Sequence, residues 1–326
     1  MKRSRIIPVC VSLVGAMLAP ALSQAAQAPQ APRTPLQNGQ APVAATQRPM
    51  VSCSRGGLQT AINLYLEAQG KGDVSGLPLA NGLGYQENMK PGDVKTGFLS
   101  KPLRIDRALN LIDVDTCQTF TEIIVTNKAE PYVAGVRLRV NHDKIAEVEV
   151  LWTTTGYWLF SADAYLANGA PENWGPIPES KRDTRGTLVK AANAYLDAFL
   201  EGKIEQVPWG FPCVRIEGGM YTGKGRDDDS CEAGVPAGVN IANRRFVVDE
   251  VTGSVVAFCT FGAGSPNGGS GAPDTHLFRV ENGKLRYVHT LTHLLQSSFR
   301  GNAPQGNRPP GVDAPAQPAA PAQPVR

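Results

Sequence analysis

The feature that most constrains this chain is that it repeats itself. Leu58, Ala61, Ile62, Tyr65 and Leu66 fall at the i, i+3, i+4, i+7 and i+8 spacing of an amphipathic helix. Adding 130 to each number gives Leu188, Ala191, Ala192, Tyr195 and Leu196, the same stripe. Between 58–67 and 188–197 five of ten residues are identical, and the register carries on through Pro78/Pro208 and Glu87/Glu217. Towards the end of each copy the offset becomes 140: Arg139-Val140 matches Arg279-Val280, Lys144-Ile145 matches Lys284-Leu285, and Val148 matches Val288. The second copy therefore holds a net ten extra residues, which belong in the loop-rich stretches 223–238 and 262–273. A duplicated unit of this length must fold twice by one plan.

Each copy opens with a helix and then turns to strands. Arg107–Val114 and Thr119–Val125 alternate about a short turn, as do Arg245–Glu250 and Ser254–Phe261. The clearest strand signal is Glu281-Asn282-Gly283-Lys284, because Asn-Gly favours the two-residue hairpin turn. A two-residue hairpin that pairs Glu281 with Lys284 opposes Val280 to Leu285, Phe278 to Tyr287 and His276 to His289, and opposed residues share a face. The same rule in the first copy opposes Val136 to Glu149 and Leu138 to Glu147. On this register the second copy presents two imidazoles and a tyrosine where the first presents carboxylates. A helix followed by a curved antiparallel sheet is an α+β solution.

One long helix, a Leu-Pro loop and a closing Gly-Lys hairpin resemble the nuclear-transport-factor-2-like superfamily, which includes SnoaL-type cyclases and ketosteroid isomerases. Glu172-Asn173-Trp174-Gly175-Pro176-Ile177-Pro178-Glu179, Arg182-Asp183-Thr184-Arg185, Val207-Pro208-Trp209-Gly210 and Asp228-Asp229-Ser230-Cys231 are similar to a family of secreted fungal and bacterial proteins of unknown function. The resemblance spans about 53–296. It implies two tandem cone-shaped α+β domains, each a curved antiparallel sheet wrapped around its long N-terminal helix, with a pocket at one end. It also implies cofactor-independent chemistry, as hydrolase, lyase or isomerase, on a small aromatic or polyketide-like molecule, aryl-ether cleavage included. A non-catalytic protein that binds a small molecule or a partner is the alternative, since fold alone does not select a reaction.

Within that frame the candidate catalytic residues are His276, His289 and Tyr287, since histidine titrates near neutrality and tyrosine can polarise an oxygen. Tyr221, Asp228, Asp229 and Phe278 in the second copy, and Tyr85, Glu87 and Glu149 in the first, are candidate substrate contacts. No metal or other cofactor is expected: the two histidines lack a fixed third ligand, and Asp227–Asp229 lie on a loop of undefined distance. No phosphate loop, dinucleotide fingerprint or nucleophile elbow is present. Trp152, Tyr157, Trp158 and Phe160 follow the first copy's last strand and suit packing between the copies, or a sugar- or aromatic-binding platform.

The ends and the cysteines speak to compartment. Lys2, Arg3 and Arg5 precede an apolar stretch to Leu22, and Ser23-Gln24-Ala25 suits a cleavage site, so 1–25 reads as a secretory signal. Residues 26–50 and 301–326 are rich in Ala, Gln and Pro and read as disordered. The remainder divides into a first domain (51–167), a connector (168–186) and a second domain (187–300). In an exported chain Cys213 and Cys231 pair, Cys53 and Cys117 are available to each other, and Cys259 stays a buried thiol within a strand. The formal charge of +3 falls to about zero once the signal's three basic residues are removed, leaving no global field to attract nucleic acid or acidic lipid. The expected partner is a small-molecule, aromatic ligand, with no membrane association after signal removal and with a homo-oligomer left open.

Overall fold

In the computed structural model the described residues are 50–232, 237–266, 269 and 271–298. The signal (1–25), all but the last residue of the 26–50 segment and the 301–326 tail lie outside them. The 58–66 stripe forms helix α1 (Arg55–Lys71), and its repeat forms α3 (Arg185–Glu201). Both are punctuated alike. The side chains of Ser54 and Thr184 accept from the backbone N–H groups of Gly57 and Thr187, and Gly72 and Gly202 end the helices at φ 64° and 69°. Only glycine takes up that left-handed conformation at little cost. The stripe residues Leu58, Tyr65, Leu188 and Tyr195 are buried.

After α1 come β1 (Leu79–Glu87), β2 (Lys90–Pro91), β3 (Arg107–Asp113), β4 (Gln118–Val125), β5 (Tyr132–Asn141) and β6 (Lys144–Thr153). A short helix α2 (Ala162–Gly169) precedes α3. The second set is β7 (Trp209–Glu217), β8 (Met220–Tyr221), β9 (Ile241–Asp249), β10 (Ser254–Phe261), β11 (Ala272–Glu281) and β12 (Lys284–Thr292). The two sheets have the same strand order, β2-β1-β6-β5-β4-β3 and β8-β7-β12-β11-β10-β9. This is the α+β tandem the resemblance implied, with one amendment. Each sheet is mixed, because β1 runs parallel to β6 and β7 parallel to β12.

The final hairpin turns at Asn282 and Gly283, both at positive φ (54° and 70°), and Val280 faces Leu285. Beyond that pair the expected register fails. Arg286 has no partner on β11, so Arg279 faces Tyr287, Phe278 faces Val288, Leu277 faces His289 and His276 faces Thr290. A β-bulge of one residue shifts every later side chain to the other face. His276 and His289 therefore lie on opposite faces of the sheet. The first copy carries the same bulge at Ala146: Leu138 faces Val148 and Val136 faces Val150, while Glu147 and Glu149 face Arg139 and Arg137. The parallel pairings of β1 with β6 and β7 with β12 are also irregular. A sheet that must curl round a helix gains local twist from such defects.

Each concave face encloses its own helix and core. The opposite faces pack together through a third cluster that includes Phe120, Leu151, Tyr165, Trp174, Val256, Phe258 and Leu277. Its edges are latched twice. Asp113 accepts from Arg185 Nη1 (2.8 Å) and from the N–H of Val248 (3.0 Å). Asp249 accepts from both terminal nitrogens of Arg55 (2.9 Å each) and from the N–H of Ile112 (3.0 Å). Arg55 and Arg185 are repeat equivalents, as are Asp113 and Asp249, so the contact has the reciprocity of a twofold interface within one chain. The 168–186 segment is packed between these elements, with Trp174 and Ile177 buried. Disulfides join Cys53 to Cys117 and Cys213 to Cys231, and Cys259 is a buried free thiol.

Candidate functional site

The bulge sends the two histidines into different environments. His289 points into the interface between the sheets, fully buried. Its Nδ1 lies 3.0 and 3.1 Å from the two carboxylate oxygens of Glu122, and its Nε2 lies 2.6 Å from Oε2 of Glu172. Tyr165 donates to Glu122 (2.7 Å) and Trp174 Nε1 donates to Glu172 (2.9 Å). With a carboxylate at each nitrogen, both nitrogens donate and the ring is an imidazolium. Burial alone would lower the His289 pKa, but Glu122 and Glu172 override it and push it up to about 10. Burial likewise works against the Glu122 charge, yet His289, Tyr165 and Arg107 together hold its carboxyl below the ordinary value. At neutral pH this is an ion cluster sealed between two domains.

His276 points into the concave interior of the second domain. Its Nδ1 lies 3.1 Å from Oδ2 of Asp274, and its ring packs beside Tyr195, Phe199 and Phe278. Cys259 lies across the strand pair from Asp274, its Sγ 3.7 Å from Oδ2 of Asp274. Burial, reinforced by the Asp274 charge, pushes the Cys259 thiol well above its ordinary pKa. Thr292 donates to the other Asp274 oxygen (3.0 Å). Tyr195 links this group to Arg215, whose Nη1 donates to the tyrosine oxygen (3.2 Å) while Nη2 meets Glu217 (3.1 Å). Two polar atoms of this interior, Arg215 Nε and Thr290 Oγ1, are buried without a partner among the described residues.

The first domain provides the contrast. Ile123 pairs with Ala134 as Cys259 pairs with Asp274, and Ala134 opposes Trp152 as Asp274 opposes Thr292. Val136 opposes Val150 as His276 opposes Thr290. Five interior positions that are apolar in one copy are thus Cys259, Asp274, His276, Thr290 and Thr292 in the other. Trp152 stacks on Phe98 (6.2 Å between centroids) and meets Tyr132 edge-on, filling the first interior.

The remaining candidates are dispersed. Phe278 lines the second interior beside Tyr195. Tyr287 faces outward against Trp174, its hydroxyl accepting from the N–H of Asn173 at 3.5 Å. Tyr221 is partly exposed, and Asp228 is exposed in an ion pair with Arg226. Asp229 accepts from the N–H groups of Lys224, Gly225 and Arg226, and so shapes its own loop. Desolvation opposes the Asp229 charge, but these donors hold its carboxyl below the usual value. Tyr85 donates to Glu87 (2.5 Å), which also accepts from Phe98 N–H and Trp152 Nε1, all inside the first domain. Burial, and then Glu87, raise the Tyr85 pKa far above its usual value. Glu149 reaches across the interface to both terminal nitrogens of Arg245 (2.5 and 2.6 Å). Trp152 and Tyr157 both pack on His293 of the second copy.

Sequence reasoning missed Asp274, Tyr195 and Arg215 as site residues. For Asp274 the signal lay in the repeat: matched strand by strand, the second copy departs from apolar at five inward positions, Asp274 among them.

Residues 181–292 match a family described as Domain of unknown function (DUF8021). No curated protein matches the chain. Among solved structures, the chain is similar to an NTF-2 like protein of unknown function from Burkholderia xenovorans LB400. The two are 14% identical over 33% of this chain and 83% of that chain, with a TM-score of 0.24. Among the described residues, no helix is long and apolar enough to cross a membrane.

Proposed function

We propose that this is a secreted protein that holds a small aromatic carboxylate inside its second domain, the first domain serving as scaffold. The observation that carries the reading is the change of five inward positions from apolar to polar between two copies of one fold. Buried polar groups cost stability unless they are satisfied, and the first copy demonstrates that the fold does not need them. Arg215 supplies a buried guanidinium suited to a carboxylate, and Tyr195, Phe199 and Phe278 supply the aromatic wall. Two disulfides support an oxidising compartment.

The test is a thermal-shift and native mass-spectrometry screen of aromatic carboxylates against the mature chain. A ligand at 100 times its Kd should stabilise the fold by about 2.7 kcal/mol, and Arg215→Lys should abolish the shift while keeping the fold. If no such ligand binds, or if Arg215→Lys binds as well as the wild type, the reading fails. The contact between Asp274 and His276 Nδ1 favours a second reading, in which the held imidazole performs acid–base chemistry on that ligand. Turnover that falls about 10²–10⁴-fold in His276→Gln, with binding retained, would select it.

A further inference from the structure

Cys259, Asp274 and His276 form a unit that the carboxylate reading does not use. Cys259 and Asp274 are direct partners on β10 and β11, and His276, two residues on, shares their face. Their donor atoms converge. Sγ lies 3.9 Å from His276 Nδ1 and 3.7 Å from Asp274 Oδ2, and the latter two atoms are 3.1 Å apart. Zinc bonds of 2.0–2.3 Å meeting at tetrahedral angles place donors roughly 3.3–3.6 Å apart. The three edges bracket that range. All three residues are buried, and sulfur, imidazole and carboxylate together are a donor set for zinc and its neighbours.

Independent observations point the same way. Thr292 donates to Oδ1 of Asp274 (3.0 Å) and leaves Oδ2 towards the other donors, the kind of supporting contact that orients a metal ligand. Thr290 faces His276 across the strands, and its buried Oγ1 has no partner among the described residues. A buried unpaired hydroxyl in a native fold calls for an explanation, such as an ion or its water. Ile123, Ala134, Val136 and Val150 occupy the matching places in the first domain, so none of these groups is required by the fold. The other four cysteines of the described chain are consumed in disulfides.

We propose that Cys259, Asp274 and His276 bind one zinc-class transition-metal ion inside the second domain, with an open fourth position towards Thr290. The inference rests on the reading of that interior as the ligand site, and makes the ion the anchor beside Arg215. It is tested with the full mature chain, made without a histidine tag, stripped with chelator and titrated with Zn²⁺ and Co²⁺. One equivalent should bind per chain, and Co²⁺ should show the near-ultraviolet charge-transfer band of a thiolate ligand. Cys259→Ser should remove that band, and Thr292→Val should weaken binding about 10–100-fold. Because a single ligand variant leaves the other donors buried and unpaired, the control is a triple variant carrying the first domain's residues (Cys259→Ile, Asp274→Ala, His276→Val), which should fold with an apolar core and bind no metal. No stoichiometric uptake by folded wild type, a Co²⁺ complex without the thiolate band, or undiminished uptake by the folded triple variant overturns the proposal. Carboxylate binding that persists in metal-stripped protein, with no metal uptake, would sink the ion and leave the earlier reading intact. Metal uptake without any carboxylate ligand would do the reverse.

Discussion

At the scale of single residues, His289 shows how context sets the role of a side chain. Held between Glu122 and Glu172, it contributes as a cation. Removing it in His289→Gln strands two buried carboxylates, and unfolding by urea should show a loss of about 3–5 kcal/mol. The pH dependence follows from the direction of the shift. Its folded pKa of about 10 lies above the ordinary 6.5, so its contribution is complete below pH 6.5 and is lost as pH rises towards 10. The Glu122 carboxyl is shifted down from 4.5, so its contribution is present above that value and lost as pH falls. Melting temperatures between pH 6.5 and 10 should decline in the wild type, and the part of that decline due to His289 should be missing in His289→Gln. A wild-type slope matching the variant's would refute the imidazolium. His276, His289 and Cys259 each stood out in the sequence. The partners of His289 did not, because Glu122 and Glu172 lie 167 and 117 residues away, and nothing local marks a contact made through tertiary packing.

At the scale of elements, the helices were legible and the bulges were not. A 3.6-residue stripe with caps at both ends is a strong local signal, and its recurrence 130 residues later fixed both helices. Asn282-Gly283 likewise announced its turn. A turn, however, sets the register only until the first irregularity, and Arg286 leaves no mark of being unpaired. Deleting Arg286 should remove the bulge yet keep Arg279 opposite Tyr287 and Phe278 opposite Val288, so Val288 stays in the core and His289 stays on the other face. A cooperative melt should therefore survive in that variant, and its loss would show that Arg286 does more than shift the faces. The Cys213–Cys231 bridge tethers β7 to the loop after β8 across a separation of 18 residues. Replacing both cysteines with serine should cost about 3 kcal/mol in urea unfolding, in the chain-entropy picture.

At the scale of the whole molecule, the reciprocal latches of Asp113 and Asp249 describe two halves built to hold one another. Each carboxylate joins a guanidinium and a backbone N–H of the other half. Asp113→Ala or Asp249→Ala should each cost about 1.5–3 kcal/mol. The double variant should depart from additivity by at least about 0.5 kcal/mol, because the two sites touch neighbouring residues on β3 and β9. A double-mutant cycle in urea checks both numbers, and strict additivity would separate the latches. The duplication was readable from the sequence, but the face-to-face packing was not, since the interface residues alternate within strands whose register the bulges had shifted. The single chain also changes how this contact responds to dilution. Two separate subunits joined by such an interface would part below their dissociation constant. A short covalent connection instead holds the halves at a local concentration in the millimolar range, so the assembly should be as complete at nanomolar protein as at micromolar.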